Sequence, residues 1–234
     1  MTERGAGQVT RDAHHFQVGP SAMHWDGSVL VVDVDELAVP HLGRVQGQIR
    51  LYPEMITDHV QTIDSHGLHR WTPFAPRARV ELRLPRPGLS WAGHGYFDGN
   101  SGDRPLEADF ATWTWSRASL PDGGAAVLYD VVRRDGSMLD LALRFGPAGV
   151  SAFPSPPPVS LPGTIWRVDR ATRSDGGARV LQTMEAAPFY TRSAIETELL
   201  GARVQGVHES LAMDRFTARW VQTLLPFRMP RLAR

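Results

Sequence analysis

An all-β, antiparallel chain is what this sequence predicts, on three observations. The dominant hydrophobic period is two, Asp-Gly pairs punctuate the apolar runs, and only one stretch near the C-terminus carries a helical period. "SVLVVDVDEL" (28–37), "RVQGQIRLYP" (44–53) and "ARVELRLP" (78–85) alternate apolar with polar, as strands with one buried face do. Asp26-Gly27, Asp122-Gly123, Asp135-Gly136 and Asp175-Gly176 each separate strand-like runs, the strongest short-range hairpin signal. Hairpins repeated in this way predict a barrel or a sandwich.

"FPSPPPVSLPG" (153–163) has too many prolines for a central strand and reads as an extended loop or strap over one barrel end. "MDRFTARWVQTLLPFRMP" (213–230) carries the helix, with Asp214 as cap, Phe216, Trp220 and Leu224 four apart, and Pro226 as the stop. The length of 234 residues suits one large β domain or two successive ones, 1–120 and 121–234, the second with the terminal helix.

Composition excludes several function classes. The formal net charge is zero and the 25 basic residues, all arginine, are scattered, so nothing marks a nucleic-acid footprint. With no cysteine, disulfides, thiolate nucleophiles and Cys-based metal centres are ruled out, which fits a cytoplasmic protein. "MTERGAGQVTRDAHHF" (1–16) lacks the apolar run of a signal peptide, and no stretch approaches the ~18 apolar residues of a membrane span. The expectation is a protein that is soluble or lies on a surface.

The segment "WAGHGYFDGN" (91–100) is unlike the rest, crowded with aromatics, glycines and polar residues. If it is extended, Trp91, Gly93, Gly95 and Phe97 share one face and His94, Tyr96, Asp98 and Asn100 the other. One reading puts the first face in the core and the polar face in water. The other turns the polar face into a pocket that holds a carboxylic acid, a phenol and an amide in one row. In "HGLHRW" (66–71), His69 and Trp71 share a strand face in the same way, which suits a structural or a catalytic pair.

Three apparent motifs do not hold. "GHGYFDG" (93–99) is followed by no helix and so is no dinucleotide loop. "GNSGD" (99–103) has the wrong glycine spacing for a serine nucleophile. Asp58, His59, His66 and His69 lack a convincing third ligand at metal-site spacing, so no metal is expected. Trp113, Trp115 and Arg117 share one face of a strand, as core or as the lining of an apolar tunnel. Glu107 and Asp109 read as solvated or capping acids.

Several separated stretches, in order, resemble the carotenoid 1,2-hydratases, also called hydroxyneurosporene synthases. They are "MTERG" (1–5), "HHFQVGPSAMHWDG" (14–27), "GLHRWTPFAPRARVEL" (67–82), "GHGYFDGNSGDRPLEADFATWTWSRA" (93–118) and "RFTARWVQTLLPFRMPR" (215–231). The resemblance implies two consecutive lipocalin-like barrels and addition of water to the terminal C1–C2 double bond of acyclic carotenoids such as neurosporene or lycopene, with no redox cofactor. Its H-x-W and G-Y-x-D-x-N elements fall on His69, Trp71, Tyr96 and Asp98. It also implies that "MTERG" lies inside a longer chain in relatives, with strands of the first barrel upstream.

The chemistry accounts for those residue types. Hydration of an isolated alkene begins with protonation of C2, for which a neutral Asp98 is the candidate acid. Trp71 and Tyr96 suit the tertiary cation left at C1, and His69 can deprotonate the attacking water; Asp98 and His69 are interchangeable at this level. An insoluble polyene has to come from a membrane. The five arginines Arg215, Arg219, Arg228, Arg231 and Arg234, interleaved with Trp220, Leu224, Leu225 and Phe227, suit either a helix on anionic lipid or one packed on the barrel. A cytoplasmic protein at the face of the inner or photosynthetic membrane follows. A non-catalytic carrier of apolar ligands, a related cyclase and a glycoside-active β protein are the rivals, the last disfavoured because only Asp98 stands firmly in the row.

Overall fold

The computed structural model describes residues 4–38 and 43–228. It is antiparallel and all-β with short helices, as the alternation predicts. The first sheet holds β1 (Val9–Arg11), β2 (His15–Val18), β3 (Ser21–Trp25), β4 (Leu30–Leu37), β5 (Arg44–Met55), β6 (Gln61–Thr62), β7 (His69–Arg86) and β8 (Leu89–Gly102). Its order is β1-β2-β3-β4-β5-β7-β6, with β8 paired to β7. After α1 (Leu106–Asp109) come β9 (Phe110–Ser119), β10 (Ala125–Arg133), β11 (Met138–Gly146) and β12 (Gly149–Ala152). A two-stranded ribbon of β13 (Pro158–Ser160) and β14 (Ala171–Arg173) follows, then β15 (Ala178–Ala186), β16 (Tyr190–Leu199) and β17 (Ala202–Ala212). The second sheet runs β12-β11-β10-β9-β17-β16-β15.

By contacts the chain forms two compact units, each drawing on segments from both sides of residue 120. One comprises Met1–Ile56, Arg77–Phe97 and Arg219–Arg234; the other comprises Thr57–Pro76 and Asp98–Ala218. In the first, Gly47 makes a bulge on β5 that only glycine tolerates: its φ is +151° and a Cβ there would lie 2.2 Å from the Arg83 carbonyl oxygen. In the second, Ala118, Leu120, Ala126, Leu128, Ala142, Leu199 and Val204 form an apolar core on one face of the second sheet.

Three of the four Asp-Gly pairs make the expected hairpins. At each, the aspartate accepts backbone N–H bonds from residues just after it, and the glycine takes a positive φ. Asp175-Gly176 is the exception, because β14 pairs with β13 and β15 with β16. Its carboxylate instead accepts the Leu200 N–H at the β16–β17 turn. A local turn signal cannot reveal that the next strand pairs elsewhere.

The C-terminal reading also needs correction. The helix is two pieces, α2 (Met213–Phe216) and α3 (Arg219–Arg228), with Ala212 rather than Asp214 at the N-cap. Asp214 pairs with Arg134, and α3 runs through Pro226. Trp220 is exposed while Val221 is buried, so the buried face lies one residue from the expected stripe. Arg231 and Arg234 lie outside the described residues.

One histidine in the second unit makes the fold pH-sensitive. His208 on β17 is fully buried and bonds the Ala171 carbonyl through Nε2 at 2.8 Å. Burial pushes its pKa down to about 4. Below its ordinary value the unfolded chain binds a proton that the folded chain refuses. Stability from this residue is therefore complete above about pH 6.5 and lost as pH falls towards 4, a total of roughly 3 kcal/mol. Urea unfolding from pH 7 to 4 should show this slope, and His208→Gln should flatten it.

Candidate active site

The turn before β7 fixes where the strand begins. Asp64 accepts backbone N–H bonds from His66 (2.9 Å), Leu68 (3.1 Å) and His69 (2.7 Å), with Gly67 at φ +75° inside the turn. From there β7 alternates, and His69 and Trp71 point the same way, each 1% exposed. The shared face predicted for them is present.

Trp71 meets Asp98 directly. Its indole Nε1–H donates to Asp98 Oδ2 at 2.8 Å. Burial pushes the Asp98 carboxyl above its ordinary value. The Trp71 N–H pulls against that shift, the Glu209 carboxylate adds to it, and Arg192 again opposes it. Trp71 also stands edge-on to Tyr129, centroids 5.7 Å apart at 88°. Burial pushes the Tyr129 phenol up as well, so it stays neutral.

His69 has partners of its own. Its Nε2 lies 2.8 Å from Asp109 Oδ2, the oxygen that Arg104 Nε also approaches at 3.1 Å. Phe110 packs against the ring at 4.8 Å. Nδ1 is buried without a hydrogen-bond partner, and a Cβ on Gly102 would lie 2.5 Å from it. The expectation that Asp109 is solvated or capping is therefore overturned: it is buried, closes α1 and anchors His69. Forty residues separate the pair, and no local pattern links them.

Along β8 neither of the two expected faces holds throughout. Trp91 is 46% exposed, so the apolar face is not core there, and His94 and Asn100 are exposed on the polar face. Tyr96 and Asp98 are half-buried at matching parity. The glycines permit close packing: a Cβ on Gly95 would lie 2.6 Å from Val80 Cγ2, and one on Gly99 3.0 Å from Phe74.

The second sheet adds Tyr129, Glu209 and Arg192, which the sequence did not single out, to Trp115, which it did. Trp115 on β9 lies opposite both Tyr129 on β10 and Glu209 on β17. Arg192 on β16 bonds Glu209 Oε1 through Nε at 2.8 Å and through its terminal nitrogen at 2.6 Å. Trp113 and Arg117 follow the parity of Trp115, as predicted, and buried Arg117 donates to the Pro76 carbonyl at 2.8 Å. Among the described residues no three metal-ligating side chains gather.

Asp109→Ala would leave His69 Nε2 unpaired in the interior and is expected to cost ~1–3 kcal/mol. Its half-buried neighbour should be nearly silent, with Glu107→Ala within about 0.5 kcal/mol. Parallel urea titrations of the two variants check the contrast.

The family model for the carotenoid hydratase CrtC matches residues 1–234. An acyclic carotenoid 1,2-hydratase of Thiocapsa roseopersicina is 48% identical over 99% of this chain and 58% of its own length. Those of Rubrivivax gelatinosus and Cereibacter sphaeroides are each 44% identical, with 58% and 84% of their lengths covered. The chain thus spans little more than half of the first two relatives. A crystal structure of an AttH protein from Nitrosomonas europaea matches with a TM-score of 0.61 at 14% identity, over 88% of this chain and 72% of that one. At that identity the likeness shows the lipocalin-like fold alone.

Proposed function

Because the chain belongs to the carotenoid hydratase family, we propose that it adds water across the terminal C1–C2 double bond of an acyclic carotenoid such as neurosporene or lycopene, with Asp98 as the acid. The observation that carries this reading is the bond between the Trp71 N–H and Asp98 Oδ2, on a carboxyl that burial pushes above its ordinary value.

An isolated alkene offers no handle to a nucleophile, so the first bond made is C2–H. The Trp71 N–H occupies Oδ2 of Asp98, and the acid proton is assigned to Oδ1. Its transfer to C2 leaves a tertiary cation at C1 and a carboxylate on Asp98. Aromatic groups stabilise such a cation without trapping it, by ~0.5–2 kcal/mol each once desolvated; Trp71 and Tyr96 are assigned that role. Water then bonds to C1, and its surplus proton returns to Asp98, which restores the acid.

His69 is assigned a supporting role. Its Nε2 is committed to Asp109 and its Nδ1 is enclosed beside Gly102, which disfavours it as the base for the attacking water. Two residues from Trp71 on the same strand face, it anchors the segment that holds the indole in place.

The substrate is insoluble in water, so a membrane surface is proposed as its source. Among the described residues no helix is long and apolar enough to cross a membrane. Exposed Trp220 beside exposed Arg219 on α3 supports contact with lipid headgroups.

The test uses dispersed neurosporene and lycopene in ¹⁸O-labelled water, with products separated by chromatography and weighed. The target bond lies outside the conjugated system, so absorbance is a poor readout. Wild type should give a product heavier by one labelled water, and Asp98→Asn should lower the rate by a factor of at least 10². A folded wild type that retains carotenoid but forms no product would favour a carrier instead.

A further inference from the structure

The strand registers of the second sheet place four side chains in one row. Arg192 on β16 is opposite Glu209 on β17, Glu209 is opposite Trp115 on β9, and Trp115 is opposite Tyr129 on β10. Directly opposite residues of neighbouring antiparallel strands project from the same face. The face therefore presents, in order, a cation, a carboxylate, an indole and a phenol. The phenol end touches Trp71, and Trp71 bonds Asp98. The acid is thus tied through its indole donor to a row that contains a second carboxylate.

The Glu209 side chain is 17% exposed, and both nitrogens that Arg192 offers it converge on the single oxygen Oε1. Tyr190, at the same parity on β16, is hydrogen-bonded to the pair. Two carboxylates linked by one row of packed side chains, away from bulk water, resist simultaneous ionisation. A fixed Glu209 charge then has a use at each stage: it opposes loss of the Asp98 proton to water, and it favours the proton's return once the carotenoid has been hydrated.

Building on the hydration reading, we propose that Glu209, oriented by Arg192, is a positioning residue that keeps Asp98 in its acid form between turnovers. The proton leaves Asp98 for C2, the water oxygen bonds to C1, and the proton that this water sheds goes back to Asp98. Trp71 from β7 bonds Asp98, Tyr129 from β10 stands against that indole, and the charged groups acting on Asp98 are Glu209 from β17 and Arg192 from β16. Of these, Glu209 raises the Asp98 carboxyl and Arg192 lowers it, in line with the signs of their charges.

The opposite signs supply the test. The Asp98 carboxyl is titrated by infrared difference spectroscopy against Asp98→Asn, in wild type, Glu209→Gln and Arg192→Gln, beside the pH dependence of hydration in each. Loss of the Glu209 charge should lower the carboxyl midpoint, and the pH above which the rate declines, by about one unit. Loss of Arg192 should raise both. Thermal melts verify folding, and a general loosening of the site cannot move two variants in opposite directions. An unmoved midpoint, or shifts of the same sign, overturns the assignment. If wild type forms no product, the hydration reading falls, while the infrared titration still decides whether Glu209 governs Asp98.

Discussion

Everything proposed for this chain depends on one hydrogen bond, from the indole of Trp71 to the carboxyl of Asp98. A carboxylic acid can protonate an alkene only if it is still protonated near neutral pH, and water must be kept away for that to hold. Burial supplies the exclusion. An unpaired buried carboxyl would be costly, however, and Trp71 satisfies one oxygen without supplying a charge that would favour ionisation. A lysine or arginine in the same place would hold the group just as firmly but keep it ionised, with no proton to give. The choice of a neutral donor is what makes burial chemically useful.

The surrounding structure keeps that donor in place. Trp71 is clamped at its edge by Tyr129, and the strand that carries it begins at a turn organised by Asp64. Two residues earlier, His69 is pinned by Asp109 and Phe110, with Gly102 leaving just enough room for the ring. Because the interior is close-packed, shifting any of these partners moves the indole and with it the acid. Residues that never meet the substrate can therefore carry large effects.

Much of this was legible in the sequence, and the limit has a physical cause. Period-two alternation revealed the strands and their faces, so the pairing of His69 with Trp71 and of Tyr96 with Asp98 could be read from parity. Contacts between strands distant in the chain could not. Asp109 is forty residues from His69, and Glu209 faces Trp115 across strands more than ninety residues apart; each meets its partner only once the whole chain has packed. The same limit explains Asp175-Gly176, whose local turn signal says nothing about which strand pairs next. In α2 and α3 the four-residue spacing of Phe216, Trp220 and Leu224 was real, but a break at Thr217 and Ala218 put its members on different helices.

The Trp71 indole proton reports most directly on the central bond. In ¹⁵N-labelled protein its signal, assigned with Trp71→Phe, should lie downfield among the seven tryptophans. It should move with pH in a single step centred above the ordinary aspartate range, and the step should vanish in Asp98→Asn. An indole signal that ignores pH, or that titrates where a solvent-exposed aspartate does, would contradict a buried neutral acid held by Trp71.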